Sequence, residues 1–142
     1  MSKGNTFEND LLALIFTATA IANIADNAAS TPLTNIQYGL HTASPGETGT
    51  QTTSEAGYTS YARVAVLRNG SGHVVTANSV SPASNINFPA ATGGTETETH
   101  FHAGTANTST GKILYHGTVT PNIAVTTGVT PQLTTASTIT ED

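Results

Sequence analysis

The sequence predicts an all-β chain: an antiparallel β-sandwich, jelly-roll-like, of about eight strands, with a short N-terminal α-helix. Three observations predict it. Thr supplies 28 of 142 residues, and a β-branched side chain that is stiff at χ1 favours strands. Short stretches of alternating apolar and polar residues recur along the chain, separated by Asn, Gly and Pro clusters. Helical periodicity occurs once, at the start, so strands are not interleaved with helices as in βαβ units.

The helix is expected over residues 6–19. Asn5 with Glu8 three residues on resembles a capping box. Phe7, Leu11, Leu14, Ile15 and Ala18 then follow helical spacing. That stripe is expected to pack on the sandwich, leaving Leu12 and Phe16 on the flank for a neighbouring subunit. Glu8 and Asp10 stand between Lys3 and the apolar run, a placement secretory signals avoid, so a native helix is expected rather than a cleaved leader. The run is also well short of the ~20 apolar residues that span a bilayer. Residues 23–35 read as a loop from their Asn, Asp, Ser and Pro content.

Ile36, Tyr38 and Leu40 alternate with Gln37, Gly39 and His41, the pattern of a half-buried strand. Residues 43–57 form a long polar arm, expected to be unordered in the free protein. In the arm Pro45-Gly46 is a turn pair, with Gly supplying a positive φ. A strong strand is expected from near Tyr58 to Leu67, and Asn69-Gly70 should turn it into a hairpin with HVVTANSV. Ile86–Phe88, TETHFHAG, KILYHGTVT and one or two stretches after Pro121 supply the rest, with Pro121 and Pro131 at edges or strand starts. One domain, residues 1–142, is expected from the length.

Charge excludes several functions. Lys and Arg total 4 and the net charge is −5. Without a basic cluster there is no footprint for a nucleic-acid backbone. Cys is absent, which removes disulfides and thiolate metal sites and fits a reducing compartment. No nucleophile elbow, phosphate-binding loop or buried acid pair is recognisable, so no enzyme activity, cofactor or small-molecule substrate is expected.

The sharpest chemical candidate is TETETHFHAG. On a regular strand Glu96, Glu98, His100 and His102 share one face, and His116 could join them from a neighbouring strand. Glu98, His100, His102 and His116 are therefore weak metal candidates, against a favoured reading as a polar edge. In a symmetric assembly the same histidines would make pH-sensitive contacts. Arg63 is expected to pair with Glu55 or Glu47, or to point at a partner chain. Tyr58 and Tyr61 are expected to bury their rings and keep their hydroxyls hydrogen-bonded.

The strings FENDLLALIF, YGLHTASPGETGT, GY, YARVAV, NFPA and GKILYHGTVTPNIAVTTGVTP together resemble a group of small tailed-bacteriophage virion proteins. These are tail-fibre-like, with related β-sandwich subunits acting as capsid decoration or cement. The resemblance covers most of the chain. It implies a structural role in the virion after synthesis in the host cytoplasm. The first expectation is a capsid decoration protein that bridges major-capsid subunits, with the major capsid protein and copies of itself, as dimer or trimer, for partners. The alternative is a tail or tail-fibre-associated protein that contacts the host surface. A carbohydrate-binding module is poorly supported, because Trp is absent and Tyr numbers only 4. The expected interface residues are Phe7, Leu11, Leu12, Phe16, Pro45, Glu47, Tyr58, Tyr61 and Arg63.

Overall fold

The computed structural model describes residues 5–21, 25 and 32–141. Residues 1–4 of the N-terminal segment, and most of the loop expected over 23–35, lie outside them. One helix, α1 (Asn5–Thr17), precedes nine strands: β1 (Asn35–His41), β2 (Val64–Leu67), β3 (His73–Thr76), β4 (Ser79–Pro82), β5 (Ile86–Asn87), β6 (Glu96–Gly104), β7 (Ile113–Val125), β8 (Gln132–Leu133) and β9 (Ile139–Thr140). The all-β expectation with a short N-terminal helix holds. The sheets run β2-β1-β6-β7, β3-β4-β9 and β5-β8. A jelly roll is a finer statement than these pairings carry.

The chain groups into two compact units. The first comprises Met1–Asn35, Val66–Ile86 and Leu133–Asp142; the second comprises Ile36–Ala65 and Asn87–Gln132.

In the first unit α1 packs against β3 and β4. The buried stripe is Glu8, Leu12 and Phe16, spaced by four, with Leu12 and Phe16 fully buried, while Phe7 is exposed. This corrects the expected orientation: the flank reserved for a partner is the packed face. Phe16 meets the His73 ring at 5.0 Å between centroids, which fixes which side of the helix turns inward. The helix ends because Ala18 takes a left-handed φ of 56°, letting the Thr19 N–H return to the Ala13 carbonyl at 3.1 Å. The last turn holds no basic residue of its own. Arg68 supplies the cation, donating to the carbonyls of Leu14, Ile15 and Leu33, where the helix dipole favours positive charge.

The Asn69-Gly70 turn is present, with Gly72 and His73 N–H groups both returning to the Asn69 carbonyl at 3.0 Å. It does not close the expected hairpin. β2 lies in the sheet with β1, whereas β3 pairs with β4. The true hairpin is β3–β4, turned by Ala77 and Asn78 with Ala77 at φ 52°. Strand β2 is also shorter than expected, since residues 58–63 are irregular.

In the second unit β1 pairs antiparallel with β6, and β6 with β7. Every residue of β1 from Ile36 to His41 is buried, although alternation predicted one wet face. Ile36, Tyr38 and Leu40 join Tyr58, Phe88, Ala103 and Val125 in the core. Gln37, Gly39 and His41 occupy the opposite face, and its burial has its own cause.

Candidate functional site: a histidine pair beneath the polar arm

The second face of β1 is covered by the arm, and the arm is fastened rather than free. The Thr42 N–H donates to Ser54 at 2.9 Å, Ala56 N–H to Leu40 at 2.9 Å, and Gln51 N–H to Thr110 at 2.8 Å. Pro45-Gly46 makes its turn with Gly46 at φ 69°. The expectation of an unordered arm is therefore corrected: its backbone donors find partners on the sheet and on the turn that follows β6.

Four of the five histidines lie on one sheet face. His41 pairs in register with His100, Gly39 with His102, and His102 with His116, and residues directly opposite in an antiparallel pair share a face. His41 and His102 approach diagonally, with His41 Nε2 2.7 Å from His102 Nδ1. His102 Nε2 lies 2.8 Å from Gln51 Nε2, and His41 Nδ1 lies 2.9 Å from the Thr53 carbonyl. His41, His102 and Gln51 are each 0% exposed.

The proton positions follow from the partners. Gln51 Oε1 accepts from the Thr105 and Ala106 N–H groups at 3.2 and 2.9 Å, while Gln51 Nε2 donates to the Ala106 carbonyl at 2.9 Å. Backbone N–H groups can only donate, so the amide orientation is fixed. Gln51 Nε2 therefore donates to His102 Nε2, which must be unprotonated. His102 then carries its proton on Nδ1 and donates to His41 Nε2. His41 in turn carries its proton on Nδ1 and donates to Thr53. Both rings are neutral and all four ring nitrogens are satisfied.

Electrostatics agree with that pattern. Burial, then His41 and Arg63, push the His102 pKa down to about 3. Burial also lowers His41, opposed by the Thr53 carbonyl and Glu55, and helped by His100 and Arg63. Desolvation disfavours the charged imidazolium in both rings.

Close backbone approach makes the nest. A Cβ at Gly39 would collide with His102 Cε1 and come 2.8 Å from Tyr61 Oη. Gly111, at φ 47°, would place a Cβ against Gln51 Oε1. Only glycine fits both demands at position 111.

A second fastening lies alongside. Arg63 Nε and Nη2 grip Glu55 Oε1 and Oε2 at 2.6 and 2.7 Å. Arg63 also donates to the carbonyls of Ala106 and Ser109 at 2.8 and 2.9 Å. Of the two expected partners, Glu55 is the one engaged. Tyr61 Oη donates to Glu55 Oε1 at 3.1 Å and accepts from the Leu40 N–H at 3.0 Å. Tyr58 Oη donates to the Pro89 carbonyl at 3.0 Å, and its ring meets Tyr61 edge-on at 5.3 Å. Both tyrosines keep their hydroxyls paired, as expected.

Glu98, His100, His102 and His116 do not form a common cluster. The β6–β7 register shifts between Glu98 and His100, where the stretch of β7 from Thr118 to Ile123 stands opposite only Glu98 to His100, so the extra residues lie on β7. Both His102 nitrogens are already engaged, and His100 Nδ1 meets Thr99 Oγ1 at 2.8 Å. Among the described residues, no group of three or more His, Asp or Glu converges on a metal position. Glu98 is 0% exposed, and neither of its carboxyl oxygens meets a donor among the described residues. Burial first, then the adjacent Glu96 carboxyl, push it up to about 8. Glu96 itself accepts from the Gly57 and Tyr58 N–H groups at 2.9 and 2.8 Å.

Of the expected interface residues, Leu12, Phe16, Pro45 and Tyr58 are buried within this chain, Leu11, Tyr61 and Arg63 are half-buried, and Phe7 and Glu47 are exposed. Sequence reading missed Gln51 and Thr53. A single Gln in a Thr/Ser-rich loop carries no pattern, and its binding glycines, Gly104 and Gly111, look like ordinary turn residues.

The class the chain matches is the fibre-like structural proteins of phage virions. The family model described as "Podophage GP4 fiber I protein gp80" matches residues 3–140. The chain belongs to this family. No curated protein matches it.

Proposed function

We propose that the chain is a fibre- or tail-associated structural subunit of the virion that works by binding other virion proteins and copies of itself, without catalysis. The observation that carries this is the match to a fibre protein family over residues 3–140. The fold supports a binding role. β7 is a terminal strand of its sheet, thirteen residues long, and its sequence ILYHGTVTPNIAV holds no Lys, Arg, Asp or Glu. Natural edge strands are guarded by charge, by Pro or by a bulge. β7 has Pro121 and its register shift in its second half, so the uncharged stretch from Ile113 to Thr118 is the part that offers a template for pairing with another chain. Capsid decoration, the first expectation from sequence, is less well supported than the fibre reading by the family's description.

The test is stoichiometry in purified virions, measured against the major capsid protein by quantitative gel densitometry. A small fraction of the capsid copy number supports a fibre or tail position. A ratio near unity, or a simple fraction of it, would return the chain to the shell.

A further inference from the structure

We propose that residues 42–57 form a proton-sensitive strap, closed while His41 and His102 are both neutral and released from the sheet when either ring takes a second proton. The geometry carries this. Each ring nitrogen has one partner, and the donor–acceptor order along Gln51, His102, His41 and Thr53 runs in a single direction. A second proton on His102 would set an Nε2–H against the Gln51 NH2. A second proton on His41 would set its Nε2–H against the Nδ1–H of His102. Turning the Gln51 amide does not rescue the network, because its oxygen is held by the Thr105 and Ala106 N–H groups and its nitrogen by the Ala106 carbonyl. Two of the terminal partners, Gln51 and Thr53, belong to the strap, so the extra proton is relieved most simply by moving it away.

The surrounding charges do not supply a substitute acceptor. From the strap, Glu55 faces His41 but is gripped by Arg63 and Tyr61. Arg63 adds positive charge near both rings. From β6, His100 adds to His41, and from β7, His116 sits opposite His102.

The size follows from linkage. His102 is held down to about 3 in the closed form and would return toward ~6.5 once the strap lifts, so acidification to pH 5 raises the opening constant about 30-fold through this ring alone. His41 adds to it in the same direction.

The test is amide hydrogen exchange on the full chain, followed from pH 7.5 to pH 5 and corrected for intrinsic exchange. The Thr42, Gln51 and Ala56 amides report the strap. The Tyr38 and Ala103 region reports the β1–β6 ladder. The expected result is at least a tenfold rise in opening at the strap amides with the ladder unchanged. An unchanged strap, or strap and ladder opening together, overturns the proposal. A second measurement does not depend on any variant folding: imidazole nitrogen NMR at pH 7.5 should show His41 and His102 both as Nδ1–H tautomers. Finding either as the Nε2–H tautomer, or as a cation, overturns it as well.

Discussion

His41 Nε2 accepts from His102 Nδ1 at 2.7 Å, across two strands and in the absence of solvent. A second proton on either ring sets one donor against another: on His41 against the Nδ1–H of His102, and on His102 against the Gln51 amide NH2. The pair therefore links the protonation state of the sheet to the loop that supplies its two terminal partners, Gln51 and Thr53.

Global stability should fall on acidification, but only clearly once Glu98 is silenced. His41, His73 and His102 are all lowered in the fold, chiefly by burial. Their neutral forms stabilise above ~6.5, and that stability is lost as pH falls below it. A ring kept neutral costs about 2 kcal/mol at pH 5 by this linkage. Glu98 acts oppositely. Its carboxyl is raised to about 8, so its contribution is fully present below the unfolded value near 4.5 and is lost as pH rises toward 8. Urea unfolding of Glu98→Gln should show a steady loss from pH 7.5 to pH 5, with a shallower slope in the parent. Equal slopes would show that Glu98 is not held protonated.

The same substitution should stabilise the protein at alkaline pH. Neutral glutamine keeps the size of the side chain and removes the ionisation that burial opposes. At pH 9 Glu98→Gln is expected to exceed the parent by at least ~1 kcal/mol, with the difference shrinking toward pH 5. Denaturant midpoints at the two pH values measure it, and a gain that is the same at both would place the effect in packing.

Gln51→Leu should be among the most costly single changes outside the apolar core. It removes donors and acceptors from the Thr105 and Ala106 N–H groups, the Ala106 carbonyl and His102. Buried polar groups left unpaired cost about 1–3 kcal/mol each, with partial relief where water enters. A total loss of ~2–4 kcal/mol is expected in chemical denaturation. A loss below ~0.5 kcal/mol, the range of ordinary surface changes, would mean the amide is not the keystone of the arm.

The apolar frame of this site was legible in the sequence and its polar half was not. Ile36, Tyr38 and Leu40 announced a strand because alternation is a local signal, and the strand is there. The burial of Gln37, Gly39 and His41 was hidden, because it depends on a loop that returns from ten or more residues away. The hairpin at Asn69-Gly70 misled for a related reason. A turn signal states that the chain bends, not which strand it meets next, and the true hairpin turns at Ala77-Asn78 with Ala rather than Gly in the left-handed position. The extra residues of β7 opposite Glu98–His100 likewise left no mark in the sequence, because a register shift depends on the partner strand. The Arg63–Glu55 pair was foreseeable because charge is so scarce that few partners existed.

Arg63→Lys keeps the charge and loses the fork. Arg63 binds both Glu55 oxygens and two carbonyls with a planar group whose side chain is 3% exposed, against 16% for Glu55. An ammonium can reach Glu55 but cannot hold two oxygens and two carbonyls at once. A loss of about 1–3 kcal/mol is expected, with exchange rising at the Ala56 amide. Full retention of stability would reduce the pair to an ordinary surface contact.

Two phenylalanines on one helix should behave oppositely. Phe16 is 0% exposed and packed on His73, whereas Phe7 is 42% exposed. Phe16→Ala removes a buried ring and leaves a cavity, expected to cost about 3–5 kcal/mol. Phe7→Ala should change the stability of the isolated chain by no more than ~0.5 kcal/mol. The contrast matters for assembly, because a large apolar side chain left outside the fold is where a neighbouring chain would gain most. Thermal unfolding of both variants separates the two roles. A comparable loss in Phe7→Ala would place that ring in the core of this chain and remove it from the candidate contacts of the fibre.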